Sequence, residues 1–496
     1  MGRSRWPRTR RWGGLAGLGM AAFTGLAALF TGGDARGEAP SRPNVLFVAV
    51  DDLNDWTGFL GGHPGARTPN MDRLAARGVV FNRAYCSAPA CNPSRASLLM
   101  GTRPSTSGVY HNDQPWRPVF RDGVTLPEYF RAAGYQVVGG GKIFHNSYND
   151  PSVWDEWRGL GPGDHPVPDV TPVNGLQGTA HFDWGPVDAP DEAMGDYKTV
   201  SWAIEHLNQK HDQPFFLAVG LIPPHLPWYA PRKYFDQFPL SDVARPEVLA
   251  DDLADIPAAG LAIAKPEGDH RKVVEAGQWE PAVRGYLASI AFADAQIGRL
   301  LDALDSSPHG KDTIIVFWGD HGWHLGEKEH WRKFALWEDA TRVPLIVVAP
   351  GVSSAGTRSE RTVSLLDLYP TLVELCGLPA KPELEGQSLV PLLKDPAAPR
   401  NAPAVTTHGR GNHAARSERW RYIRYADGSE ELYDHDNDPR EWTNLAGDPS
   451  LDGVKRELAR WLPERDAPDA PRASKDGARE DGRGRSKDKA LKGAIQ

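Results

Sequence analysis

Six short runs rich in valine, isoleucine and phenylalanine, at residues 44–50, 79–85, 135–138, 215–219, 313–318 and 344–348, are separated by stretches of helical apolar spacing. That alternation marks a mainly parallel sheet, because parallel neighbours need a crossover long enough to hold a helix. Val200, Ala203, Ile204 and Leu207, then Val283, Leu287, Ile290, Ile297, Leu301 and Leu304, repeat at the period of one buried helix face. They predict core packing, not a cofactor box. The expectation for residues 42–379 is an α/β lobe: a mixed, mainly parallel sheet sandwiched by helices.

Past residue 379 the pieces shorten. Runs at 420–425 and 431–433, and an amphipathic helix carrying Val454, Leu458, Trp461 and Leu462, predict a small C-terminal α+β subdomain over 380–465. A chain of 496 residues is long enough for one large core plus such a lobe. From Asp466 the sequence is rich in Asp, Arg, Lys, Gly and Ala and shows no apolar period until its last few residues. Ordering it would bury too little surface to offset the entropy lost, so 466–496 is expected to be a disordered charged tail. Residues 150–196, dense in Pro, Gly and Asp, are expected to form a long surface loop.

The first segment carries Arg3, Arg5, Arg8, Arg10 and Arg11, then an apolar run over residues 15–30, then small residues around Ala35-Arg36-Gly37. The run is shorter than the roughly 20 residues that span a bilayer, so residues 1–37 read as a cleaved signal peptide. The expected location is exported, periplasmic or secreted, by a Sec or twin-arginine route. No stable membrane insertion is expected after cleavage. A net charge of -8, with no basic stripe in the body, excludes nucleic acid as a partner. Three cysteines, at 86, 91 and 376, exclude a disulfide framework. Cys376 ends an apolar helical face and predicts core packing, while Cys86 and Cys91 are open to pairing or to separate fates.

Open α/β sheets bind ligands at the carboxyl ends of their strands. There the sequence gathers Asp51 and Asp52, Lys142 and His145, His225, and Asp320 with His321. Carboxylates from two strands offer hard oxygen ligands, which suits Ca²⁺, or less well Mg²⁺. A doublet of aspartates alone often only caps a helix, and a lone lysine or histidine is more often solvated. His321 is either an outer ligand or an orienting group for Asp320.

Cys91-Asn92-Pro93-Ser94-Arg95, continuing through Leu99, Met100 and Gly101, fits a helix start with residue 91 at its amino end. Free N–H groups and Arg95 there favour an anion. The run resembles the sulfatase signature C-x-P-S-R-x-x-x-L-T-G, with Met100 at the usual Thr. The resemblance extends over about residues 42–445, through Thr68-Pro69-Asn70-Met71-Asp72, Gly141-Lys142, Pro224-His225-Leu226-Pro227, the run 319–327, Lys333 and Glu431-Leu432-Tyr433-Asp434. It is closest to iduronate-2-sulfatase-like members of the formylglycine-dependent sulfatase family, of alkaline phosphatase/sulfatase-like fold.

The resemblance implies that a formylglycine-generating or equivalent maturation enzyme converts Cys91 to formylglycine (3-oxoalanine), whose hydrate attacks sulfur. It implies one Ca²⁺ held by Asp51, Asp52, Asp320, His321 and an oxygen of modified Cys91. Lys142, Lys333 and His225 would grip the sulfate, His225 would protonate the leaving alcohol, and His145 would be the base for elimination. Arg95 would hold the nucleophile's oxygen, and the substrate would be a sulfated carbohydrate. Rival readings are a phosphate or phosphonate ester hydrolase of the same superfamily and a non-catalytic carbohydrate-binding homologue. Lys328, Arg332 and Lys333 also fit a solvated helix face. His324 and His330 are candidate substrate-side groups, and Trp323, Trp331 and Trp337 fit either a sugar-stacking wall or core packing.

Overall fold

The computed structural model describes residues 42–161, 163–176 and 181–473. The signal peptide expected at 1–37 and the tail from 474 lie outside the described residues. Eight strands form the central sheet: β1 (Asn44–Val50), β2 (Val79–Tyr85), β3 (Gln136–Gly141), β4 (Glu156–Arg158), β5 (Phe215–Leu221), β6 (Thr313–Gly319), β7 (Leu345–Val348) and β8 (Thr357–Ser364). Their order is β8-β2-β7-β6-β1-β5-β3-β4. Every pairing is parallel except those of β7, which runs antiparallel to both β2 and β6. The mixed, mainly parallel sheet expected from the alternation is therefore the one that forms.

Period-two side-chain direction splits β1 between two cores. Leu46, Val48 and Val50 face one cluster with α1 (Pro69–Ala75), α3 (Gly195–Leu207) and the 28-residue α4 (Trp279–Ser306). Val45, Phe47 and Ala49 face the other, with α2 (Cys91–Met100) and α5 (Leu368–Leu375). Both faces are covered, as all-buried parallel strands require. Cys376 packs in the second cluster, and all three cysteines are free thiols, which closes the question of a Cys86–Cys91 bridge.

A second, antiparallel sheet follows: β9 (Ala404–Thr407), β10 (His413–Arg416), β11 (Trp420–Arg424) and β12 (Glu430–Asp434). One face packs on Leu336 and Trp337 of the larger lobe, the other on Leu458 and Leu462 at the end of α6 (Asp452–Ala459).

Two expectations are corrected. The segment 466–473 is ordered: Ala467, Ala470 and Ala473 donate backbone N–H bonds to Ser105, Gly108 and Asp113. Backbone pairing needs no apolar period, so composition gave no sign of it. The stretch 150–196 is more than a surface loop, since it supplies edge strand β4 and buries Trp154, Phe182 and Trp184. Among the described residues no helix is long and apolar enough to cross a membrane.

Candidate active site

Asp51 and Asp52 leave the carboxyl end of β1 at the sheet edge. Asp52 takes φ 58°, a left-handed conformation that costs a non-glycine residue about 1–2 kcal/mol. Three contacts fix it. Its N–H donates to Asp320 Oδ1 at 3.0 Å, its carbonyl accepts from Tyr286 Oη at 2.7 Å, and that hydroxyl accepts from Asn54 N at 3.0 Å. The end of β3, separated from β1 by β5, brings Lys142 by a tight turn at Gly141, φ 76°, where a Cβ would fall 1.9 Å from the Gly220 carbonyl.

Cys91 is the first residue of α2, whose ten residues are all buried. Pro93 in the first turn has no N–H to leave unpaired. Asn92 Nδ2 ties the helix start to the His111 and Gln114 carbonyls at 2.9 and 2.7 Å, and Ser94 Oγ donates to the Asp320 carbonyl at 2.6 Å. The helix therefore aims residue 91 at the end of β1.

Around the Cys91 Sγ lie Lys333 Nζ at 2.8 Å, His321 Nε2 at 3.4 Å, Lys142 Nζ at 3.6 Å and Asp52 Oδ1 at 4.0 Å. Lys142 is ion-paired with Asp51, and Lys333 with Asp52 Oδ1 at 2.7 Å. His225 Nε2 stands 4.0 Å from Asp51 Oδ2 and 3.9 Å from Asp52 Oδ2, on the open side, with 32% of its side chain exposed. Its Nδ1 lies 2.6 Å from the Leu226 carbonyl, which assigns the proton to Nδ1 and the lone pair to Nε2.

Burial and charge set the protonation states. Burial opposes ionisation of Asp51, but Lys142 and Arg95 outweigh it and hold the carboxyl well below its usual range. Burial pushes Asp52 up to about 7 against the pull of Lys333. Burial also pushes the Cys91 thiol up, aided by Asp51, so an unmodified cysteine here is a neutral thiol and a weak nucleophile. Lys142 and Lys333 stay charged in spite of burial, through Asp51 and Asp52 respectively. His225 falls well below its ordinary value, and His145 to about 3, through burial and then Lys142; both are neutral.

A divalent cation fits this donor set. Asp51, Asp52, Cys91 and His321 each offer one ligand atom, all within 4.8 Å of one another. Asp52 Oδ2 is buried without a hydrogen-bond partner, a costly state that a cation relieves. The His321 Nδ1 lies 3.0 Å from the Gly322 carbonyl, which turns an Nε2 lone pair inward, the usual outer support of a metal-bound imidazole.

Several predicted residues sit differently from expectation. Asp320 stands beside the cluster with both oxygens engaged, Oδ1 by the Asp52 and His321 N–H groups and Oδ2 by Arg95 Nε at 2.8 Å. Arg95, fully buried, donates to Asp320, Asp51 and the Lys142 and Ile143 carbonyls; no hydrogen bond joins it to Cys91 among the described residues. His145 is half-buried with Nδ1 unpartnered and makes no hydrogen bond to Cys91. The solvated helix face is overturned: Lys328 and Lys333 are buried, and Lys328 pairs with Asp252 at 2.5 Å. Trp323, Trp331 and Trp337 are buried in the cores, and His324 and His330 are also buried, so none forms an open sugar wall. Tyr286, which fixes the Asp52 end, carries no sequence signal beyond its place in a core helix, and Ser94, quoted within the signature run, gave no sign that it would hold the Asp320 carbonyl.

A mainly parallel sheet whose carboxyl edge gathers a buried cysteine at a helix head, a set of carboxylates and two buried ammonium groups suits chemistry on a tetrahedral oxyanion ester. The sulfatase family profile matches residues 43–378, and that of the N-sulphoglucosamine sulphohydrolase C-terminal region matches 326–467. A sulfatase of Formosa agariphila is 41% identical over 86% of this chain and 87% of its own. Human iduronate 2-sulfatase is 30% identical over 76% of each. The solved phosphonate monoester hydrolase of Agrobacterium radiobacter superposes with TM-score 0.71 at 25% identity, covering 84% of this chain and 94% of that one. The chain belongs to the sulfatase family, of the formylglycine-dependent type, and is a sulfuric ester hydrolase.

Proposed function

We propose that this enzyme cleaves sulfate esters of sugars with a formylglycine made from Cys91, beside a Ca²⁺ held by Asp51, Asp52, His321 and Asp320. The arrangement at the Cys91 Sγ carries the reading: two ammonium groups within 3.6 Å, and a buried Asp52 oxygen lacking a partner. At residue 91 a hydrated aldehyde would supply a hydroxyl nucleophile for sulfur and a second hydroxyl for sulfate release, and a cation held by the aspartates and His321 would supply charge neutralisation.

The chain's own groups do the rest. Lys142 and Lys333 hold sulfate oxygens as fixed charges in a buried site, where such charges act most strongly. The anionic ester raises the basicity of His225, whose Nε2 then carries the proton to the leaving oxygen. Neutral His145 takes the proton lost in elimination. Arg95 is a positioning residue that locks Asp51 and Asp320. A leader at residues 1–37, export to the periplasm or beyond and a maturation enzyme acting on Cys91 complete the proposal. The relative named iduronate 2-sulfatase supports a sulfated sugar as substrate.

The similarity to a phosphonate monoester hydrolase favours one second reading, hydrolysis of phosphonate or phosphate esters. Turnover of sulfate, phosphate and phosphonate esters of one phenol separates them, because the leaving group is held constant. The expected result is a kcat/KM for sulfate at least about tenfold above the others, lost on chelation and restored by Ca²⁺. A preference for phosphonate, or activity indifferent to chelation, contradicts the reading.

A further inference from the structure

Residue 91 is held from two sides. Ser94 Oγ fastens the head of α2 to the Asp320 carbonyl, and Asn92 fastens it to the turn over residues 110–114. Asn92 makes three hydrogen bonds to that turn: Nδ2 donates to the His111 and Gln114 carbonyls, and its N–H donates to Asn112 Oδ1 at 2.9 Å. Whatever shapes the turn therefore sets where the residue next to Asn92 stands.

One side chain shapes it. Gln114 is fully buried, and its Oε1 accepts from Tyr110 N at 2.6 Å and from His111 N at 2.8 Å, which folds the turn onto itself. Its Nε2 donates to the Ala470 carbonyl at 2.8 Å, across 356 positions of sequence. A primary amide accepts two bonds and donates as well without carrying charge, which neither a carboxylate nor an ammonium can do. The Ala470 carbonyl belongs to the ordered segment 466–473, which runs as a strap along residues 105–113. Besides its backbone pairing, the strap accepts from Tyr110 Oη at the Ala467 carbonyl, 2.9 Å, and is pinned by Asp466 to His413 at 3.1 Å and by Arg472 to Asp113 at 3.0 Å. It passes so close that a Cβ at Gly108, φ 79°, would fall 2.2 Å from the Pro468 carbonyl oxygen.

We propose that Gln114 is a positioning residue for sulfate-ester hydrolysis: it sets the place of the nucleophile at residue 91 through Asn92, and the strap 466–473 holds it there. The inference rests on the reading of residue 91 as the nucleophile position. Gln114 bonds to the turn, to Asn92 and to the strap, and acts on residue 91 only through the backbone it shapes. Lys142 and Lys333, which grip sulfate in that reading, come from other segments. Loosening Gln114 therefore moves the attacking atom and leaves the sulfate grip in place. A misplacement of about 1 Å at a reacting atom costs on the order of a hundredfold in rate.

The test uses full-length enzyme with Gln114→Ala, Asn92→Ala, the double variant and Ala470→Pro, which deletes the N–H that ties the strap to the Gly108 carbonyl. A sulfated phenol is the substrate. Turnover is expressed per residue 91 in aldehyde form, counted by peptide mass, so that incomplete maturation is not read as slow chemistry. Gln114→Ala is expected to lower kcat at least about tenfold while KM stays within about twofold. The double variant should be no more than about threefold slower than the slower single variant, because Gln114 acts through Asn92. Ala470→Pro should lower kcat with KM unchanged, and should add little to Gln114→Ala; it carries the test if Gln114→Ala does not fold. Amide exchange at the Asn92 N–H, faster in Gln114→Ala than in wild type, reads the loosened helix head without turnover. Wild-type kcat in Gln114→Ala or Ala470→Pro, losses that multiply in the double variant, or a loss confined to KM overturn the assignment and leave the sulfatase reading intact. Fully active wild-type enzyme with an ordinary cysteine at 91 would instead sink the reading on which the assignment rests.

Discussion

Around Arg421 and around Cys91 the chain buries two clusters of charge, and they differ in how completely they are closed. Arg421 donates to Glu441, Glu338 and the Leu336 carbonyl, the last at 2.8 Å. Tyr85 and the Glu338 N–H occupy the remaining carboxylate oxygens, and Arg416 and His435 share the two that Arg421 uses. Burial opposes the charge on Glu338, yet its cationic neighbours hold its carboxyl well below the usual range. The Cys91 cluster, equally buried, leaves Asp52 Oδ2 without a partner, bends Asp52 into a left-handed conformation and turns two ammonium groups on a neutral thiol. A satisfied network fastens the C-terminal sheet to the catalytic lobe. The cluster around Cys91 is not satisfied internally, as the proposed binding of a cation and a sulfate requires.

Substitutions in the two clusters should therefore fail in opposite ways. Cys91→Ala is expected to lower sulfate-ester hydrolysis by at least about a thousandfold while leaving the thermal midpoint nearly unchanged, measured by steady-state kinetics and calorimetry. Comparable loss of stability would break the contrast. Arg421→Ala is expected to cost about 3–5 kcal/mol in denaturant unfolding, because it strands Glu338 and Glu441 in a buried site. Full stability in that variant would show that the network fastens nothing.

Smaller effects sharpen the picture on the catalytic side. Lys142→Ala and His225→Ala should each lower kcat by at least about tenfold, and wild-type turnover in either removes that residue from the mechanism. The smallest effect concerns pH. Asp196 is buried and accepts from the Ile222 N–H at 2.9 Å, and burial pushes its carboxyl up to about 8 from 3.8. The folded chain keeps a proton that the unfolded chain has lost, so this contribution is complete below pH 3.8 and disappears as the pH rises through about 8. Against Asp196→Asn, the wild type should lose about 2 kcal/mol between about pH 6 and 8. Parallel stability curves for the two proteins would contradict the assignment.

The parallel sheet was legible because its strands are fully buried and read as unbroken apolar runs. The polar strand β8, Thr-Arg-Ser-Glu-Arg-Thr-Val-Ser, was not, since an edge strand need not look apolar. Asp51, Asp52, Lys142 and His225 were readable as polar residues just past strands. Asp320 was found by the same signal and Arg95 by the run that begins at Cys91, but their contacts were not, because which oxygen a guanidinium chooses is settled in three dimensions. Lys333 was legible only through resemblance. Its neighbours Lys328 and Arg332 suggested a wet helix, whereas Lys328, Glu329, Arg332 and Phe334 all take positive φ in an irregular strap that buries Lys328 and Lys333. No periodicity announces such a strap.

The most direct test is the mass of the peptide containing Cys91, taken from active full-length enzyme. Replacement of the sulfur by oxygen with loss of two hydrogens is the predicted result. An ordinary cysteine in fully active material would contradict the account.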